Sequence, residues 1–127
     1  MRISENTYNK LMNYKQNKYR NNIVYYDNKK FDSKKERNRY VELKKLEKFK
    51  VISDLKTQVP FLLLDTIRYK NKTYRKTYYY ADFTYKQNGK LIVEDVKSEA
   101  TRKDKVYRLK IKILLSKYKD IEFVEKL

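Results

Sequence analysis

Asn88-Gly89 separates two runs that alternate as β-strands, 75–85 and 90–97. This dipeptide is the strongest short hairpin signal in the chain, because both residues accept the left-handed backbone of a two-residue turn. With Asn88-Gly89 as the loop, Gln87 faces Lys90. The register then places Asp82 opposite Asp95 and Tyr80 opposite Lys97. Side chains alternate along a strand, so Asp82, Asp95 and Lys97 fall on one face. Opposed Cβ atoms lie ~4.5–5.5 Å apart. At an effective dielectric of ~20, two carboxylates ~5 Å apart repel by about 3 kcal/mol before relaxation. A divalent cation turns that repulsion into binding, since oxygen ligands converge on Mg²⁺. Lys97 beside the pair can orient and polarise a water. The alternative is that both acids are exposed and solvated.

Helical signals flank these strands. Ser33-Lys34-Lys35-Glu36 fits the capping-box pattern and predicts a helix to about residue 50, with Tyr40, Leu43 and Leu46 as its inward stripe. Glu36 lies four and seven residues before Tyr40 and Leu43, on that stripe, although the capping box alone already calls for Glu there. Glu47 falls close to the same stripe. Residues 101–118 read as a second helix, with Tyr107, Ile111, Leu114 and Tyr118 at helical spacing. The middle of that segment also alternates like a strand, and its length decides for helix. Strands are expected at 51–55, 58–64 and 121–124, with Pro60 marking an edge or a bulge, and 65–74 as a basic connection. Asp27-Asn28 suggests a weak hairpin at 23–31. Residues 1–22 read as a basic N-terminal arm, with a short helix carrying Tyr8, Leu11 and Met12. Residues 23–127 are expected to form one α/β (α+β) domain, with helices against a mixed central sheet.

Charge then restricts the partners. Lys and Arg number 33 against 16 Asp and Glu, a net charge of +17 on 127 residues. Such a surplus seeks a polyanion, either nucleic acid or an anionic membrane. Lys-, Asn-, Tyr- and Ile-rich coding accounts for part of the excess but not for where the acids sit. No histidine or cysteine is present, which removes Cys/His zinc sites, Ser-His and Cys-His nucleophiles and disulfides. Fourteen Tyr and five Phe argue against a disordered basic tail. No apolar run approaches the ~20 residues of a membrane span, and no helix has the strong apolar face of a membrane-surface protein. A cytoplasmic protein without membrane partners is expected.

Ala81-Asp82-Phe83, the glycine turn and Val93-Glu94-Asp95-Val96-Lys97 together resemble the signature of the PD-(D/E)XK nuclease superfamily. Asp82 matches the first acid and Asp95-Val96-Lys97 the (D/E)XK triplet, while Ala81 stands where the name-giving proline would be. Glu36 looks like the helix glutamate that precedes the sheet in Holliday-junction-resolvase-like members. The likeness runs from about residue 31 to 127 and is greatest to small basic phage-encoded nucleases acting in replication or recombination in a bacterial host. It implies a restriction-endonuclease-like αβββαβ core. It also implies a DNA endonuclease dependent on Mg²⁺ or Mn²⁺, selective for branched DNA, working as a homodimer without a small-molecule cofactor. On this resemblance Asp82 and Asp95 would hold the metal, with or without the Val96 carbonyl. Glu36 would ligate it directly or through water, and Lys97 would position the attacking water. Glu94 would point to the opposite face.

Basic residues cluster around these positions. Lys34, Lys35 and Arg37 surround the start of the first helix, Lys72 and Arg75 precede the motif, and Arg102, Lys103 and Lys110 lie on the last helix. They are the candidate nucleic-acid-binding residues, holding phosphates without reading sequence. A non-catalytic basic nucleic-acid-binding protein explains the charge equally well but not the paired acids.

Overall fold

The structure is a computed structural model and describes residues 23–127. The expected N-terminal arm and its short helix lie outside the described residues. The chain divides into two compact units, one ending at Lys45 and the other running Leu46–Leu127.

In the first unit, β1 (Val24–Tyr26) and β2 (Lys29–Phe31) form the hairpin that Asp27-Asn28 suggested. Both turn residues adopt positive φ, 53° and 61°, which Asp and Asn tolerate better than most residues. Helix α1 (Lys34–Lys48) follows. Ser33 Oγ accepts a 3.1 Å hydrogen bond from the Glu36 N–H, the capping contact that its sequence implied. Tyr40 packs its ring on Phe31, 5.1 Å between centroids, and its hydroxyl donates to Asp27 Oδ2 at 2.9 Å. The hairpin and the helix are thereby tied together.

The second unit is α+β. Its four-stranded mixed sheet has the order β3-β6-β7-β8, built from β3 (Ser53–Leu64), β6 (Thr77–Gln87), β7 (Lys90–Val96) and β8 (Ile121–Lys126). The first three strands are antiparallel neighbours, and β8 lies parallel to β7. A parallel neighbour requires a crossover. It is supplied by the short α2 (Glu99–Arg102) and by α3 (Lys105–Lys117). Tyr107, Ile111 and Leu114 of α3 cover one sheet face, packing with Phe61, Leu63, Tyr79, Ala81 and Val93. Leaving the small hairpins aside, the order is α1-β3-β6-β7-α3-β8. Among the described residues, no helix is long and apolar enough to cross a membrane.

Three segments differ from expectation. The two strands read at 51–55 and 58–64 are one strand, bent where Asp54 and Gln58 adopt positive φ. Pro60 sits on this strand, at the sheet edge, where its missing N–H costs nothing. The basic connection at 65–74 contains a further hairpin, β4 (Ile67–Tyr69) and β5 (Lys72–Tyr74). Its turn is Lys70-Asn71, both at positive φ, so no Gly announces it. The helix read at 101–118 is broken at Lys103-Asp104, because the Asp104 carboxylate accepts from the Tyr107 N–H at 3.0 Å and starts α3 afresh.

Candidate active site

The Asn88-Gly89 register is the one its turn predicts, from Gln87↔Lys90 through Phe83↔Glu94. The ladder stops there, one pair short of Asp82 and Asp95. Asp82 takes over a backbone role at that point: its Oδ2 accepts a 2.9 Å hydrogen bond from the Val96 N–H. On the other side of β6 the pairing with β3 also breaks at the same residue. Thr57 pairs with Phe83 and Val59 with Ala81, while Gln58, at φ 51°, lies between them and donates to Asp82 Oδ1 at 3.4 Å. Asp82 therefore stands where both neighbouring ladders open.

This break also changes the phase of the strand. The Tyr85 hydroxyl donates to Glu94 Oε1 at 2.9 Å, whereas the Tyr79 hydroxyl donates to Asp95 Oδ2 at 2.8 Å. Glu94 and Asp95 are consecutive and point to opposite faces. Tyr79 and Tyr85 are an even number apart, so strict alternation would have put them on the same face. The slip at Asp82 is what brings Tyr79 to Asp95.

Asp95 is almost wholly buried, at 1% exposure, and Asp82 retains 9%. Lys97 Nζ lies 3.4 Å from Asp95 Oδ2 and 5.0 Å above the ring of Tyr107. The Lys97 N–H donates to the Lys126 carbonyl at 2.9 Å, holding the residue in line with the sheet. Asp95 Oδ2 thus has both a hydroxyl and an ammonium against it. Asp95 Oδ1 is buried and receives no donor among the described residues. Burial pushes the Asp95 carboxyl up to about 8, aided by the adjacent Asp82 carboxylate; Lys97 and the Tyr79 hydroxyl act in the opposite direction. Burial first, then the charge of Asp95, pushes the Tyr79 and Tyr107 hydroxyls upward, so both stay protonated. A buried carboxylate oxygen beside a second carboxylate is satisfied by a proton or by a cation. The donor set fits Mg²⁺, which is commonly held by one or two carboxylates together with substrate phosphate and waters.

Asp82, Asp95 and Lys97 are brought together in the second unit. Glu36 belongs to the first unit, where it is buried on the first turn of α1 at 6% exposure. Among the described residues, no three acidic side chains gather into a metal-sized cluster. Glu94 is fully buried and is bonded by Tyr85, on the face away from Asp95. Glu47 accepts from the Leu55 N–H at 2.9 Å and so secures the start of β3.

The basic candidates are spread over several elements. Lys34, Lys35 and Arg37 stand on the first turn of α1. Lys72 is on β5, and Arg75 is exposed just after it. Arg102 ends α2, with its Nε 3.9 Å from Glu125 Oε2, Lys103 follows it, and Lys110 is half-buried on α3. As aromatic residues on a strand and a helix, Tyr79 and Tyr107 are expected in the core, and Gln58 carries no sequence signal. A buried Tyr needs a partner for its hydroxyl, and an acid predicted nearby was the available signal.

Residues 16–126 match the family described as Protein of unknown function (DUF1064). The chain belongs to that family. The matched residues take in the whole DUF1064 sheet, both long helices and every residue of the Asp82–Asp95–Lys97 constellation. No curated protein and no solved structure matches the chain.

Proposed function

We propose that this DUF1064 chain is a metal-dependent endodeoxyribonuclease of the PD-(D/E)XK type, with a restriction-endonuclease-like core, that acts on branched DNA as a homodimer. The observation that carries this reading is Asp95 Oδ1, a buried carboxylate oxygen with no donor, set beside Asp82 and Lys97. The order α1-β3-β6-β7-α3-β8 supports the same superfamily. So does the opening of β6 from β7 at Asp82. Glu36 enters the site on the sequence resemblance alone.

Asp82 and Asp95 would hold Mg²⁺ or Mn²⁺. When bound, the ion supplies Lewis-acid neutralisation of phosphate charge and a more acidic water. The chain's own groups divide the remaining work. Tyr79 and Lys97 occupy Asp95 Oδ2, which leaves Oδ1 turned to the ligand. The Val96 N–H and Gln58 hold Asp82 from two sides. The Lys97 ammonium orients the attacking water and offsets charge developing on the phosphoryl oxygens. The large positive surplus draws DNA in and holds its backbone.

Labelled four-way junction, linear duplex and single strands, incubated with Mg²⁺ or with EDTA, test this directly. Paired nicks in the junction are expected with Mg²⁺, none in EDTA, and none from Asp95→Asn, which should bind DNA as well as wild type or better. Full turnover by that variant, or in EDTA, removes the nuclease assignment. Tight binding without cleavage of any substrate leaves a basic DNA-binding protein.

A further inference from the structure

The hairpin β4–β5 is a two-stranded sheet of its own, joined to the main sheet only through the ends of β3 and β6. Its register pairs Ile67 with Tyr74, Arg68 with Thr73 and Tyr69 with Lys72. Ile67, Tyr69, Lys72 and Tyr74 therefore share one face. On that face Ile67, Tyr69 and Tyr74 are exposed at 55%, 61% and 54%. An isolated two-stranded hairpin is marginal in water, so this one spends apolar and aromatic surface on something other than its own stability.

Charge indicates what covers that face. Residues 67–76 carry Arg68, Lys70, Lys72, Arg75 and Lys76 and no Asp or Glu. A second copy of the same ribbon would bring the same charges and be repelled. The Lys70 ammonium already sits 5.4 Å from the Tyr69 ring centroid, so cation and aromatic face act at one place. Tyr69 and Tyr74 are diagonal neighbours on the shared face, ~7–8 Å apart at that type of position. Two stacking steps of about 3.4 Å, the spacing of successive bases along a strand, fill such a gap with one base. Flat rings interleaved with cations are the means by which single strands are bound without sequence preference. The placement agrees, because the hairpin leaves the sheet at the end where β7 carries Asp95. Asp82 lies five residues along β6 from Thr77, about 16 Å of strand, or roughly five nucleotides of chain.

We infer that the β4–β5 hairpin is a nucleic-acid arm that clamps an unpaired base between Tyr69 and Tyr74 and holds the adjoining phosphates with its Lys and Arg residues. This rests on the proposed nuclease reading for its role, since it would select DNA with unpaired bases a few nucleotides from the bond to be cut. The binding itself is measurable without cleavage.

The test is fluorescence anisotropy in EDTA with a labelled 15-nucleotide oligothymidine, a matched duplex, and vesicles containing phosphatidylserine. Wild type should bind the single strand more tightly than the duplex at moderate salt. Tyr69→Ala/Tyr74→Ala should weaken single-strand binding about tenfold or more and duplex binding far less, with an unchanged melting temperature. Tyr69→Phe/Tyr74→Phe should retain wild-type binding, because the rings remain. Equal single-strand binding by the alanine double variant would overturn the arm. So would a loss confined to vesicle binding, or alanine variants that change only the oligomeric state in sedimentation. Failure of cleavage with single-strand selectivity intact would count against the nuclease reading and not against the arm.

Discussion

Tyr79 donates its hydroxyl to Asp95 Oδ2 at 2.8 Å, across a strand whose regular alternation would have turned the two residues to opposite faces. This contact satisfies Oδ2 of Asp95, while Oδ1 stays buried without a donor among the described residues. It also favours the ionised form of Asp95 in a place where burial opposes it.

Tyr79→Phe removes that donor while preserving the ring in the core. A hydrogen bond to a charged group contributes about 1.5–3 kcal/mol. The Mg²⁺ concentration for half-maximal cleavage should therefore rise about tenfold or more near neutral pH. Without the hydroxyl, Asp95 ionises less readily, so a higher pH should recover part of the loss. An unchanged metal dependence across pH 6 to 9 would show that Tyr79 only fills space.

Metal should stabilise the second unit through the acid pair. A ligand that binds only the native state at a hundred times its dissociation constant contributes about 2.7 kcal/mol. Thermal unfolding should shift upward by several degrees with saturating Mn²⁺ or Mg²⁺, and Asp82→Ala should abolish the shift. Without metal, Asp82→Ala should be less stable than wild type by about 1–3 kcal/mol, because the Val96 N–H loses its acceptor. A full metal response in that variant would exclude Asp82 as a ligand.

The pH dependence of the metal-free protein follows from Asp95. Its carboxyl is held up to about 8 in the fold, chiefly by burial, and falls to about 4 in the unfolded chain. Between these values the folded state binds the extra proton, so stability is greatest below pH 4 on this account and declines as pH rises to about 8. The slope from this one group is at most about 1.4 kcal/mol per pH unit. Urea unfolding in EDTA at pH 5 and pH 8 should show the decline in wild type, and Asp95→Asn should flatten it. Parallel curves for the two proteins would refute the assignment.

Salt tests the charge. The logarithm of the DNA association constant should fall with the logarithm of salt concentration at about 0.9 per neutralised phosphate. With a net charge of +17 a steep slope and weak sequence preference are expected. Titrations between 50 and 200 mM salt would measure it. A slope near −1 would mean that most of the lysines are solvated surface residues.

The sequence alone determined the elements whose causes are local. Asn88-Gly89 set the register of β6 and β7 because a two-residue turn leaves a hairpin little choice. Ser33 marked the start of α1 through its own hydroxyl, and the 3.6-residue spacing of Tyr107, Ile111 and Leu114 marked the buried face of α3. Asp82, Asp95 and Lys97 were legible because the register and the spacing of two residues suffice to gather them. The tertiary structure decided what depends on two ladders at once. Alternation counted along β6 could not anticipate the phase slip at Asp82, since it arises where β3 bends at Gln58 and β7 diverges beyond Glu94. Tyr79 therefore read as core, and its bond to Asp95 was invisible. The β4–β5 hairpin was hidden for a different reason: Lys70-Asn71 makes its turn at positive φ without the glycine that signals one, so only the folded backbone reveals that the basic connection is a ribbon with an exposed aromatic face.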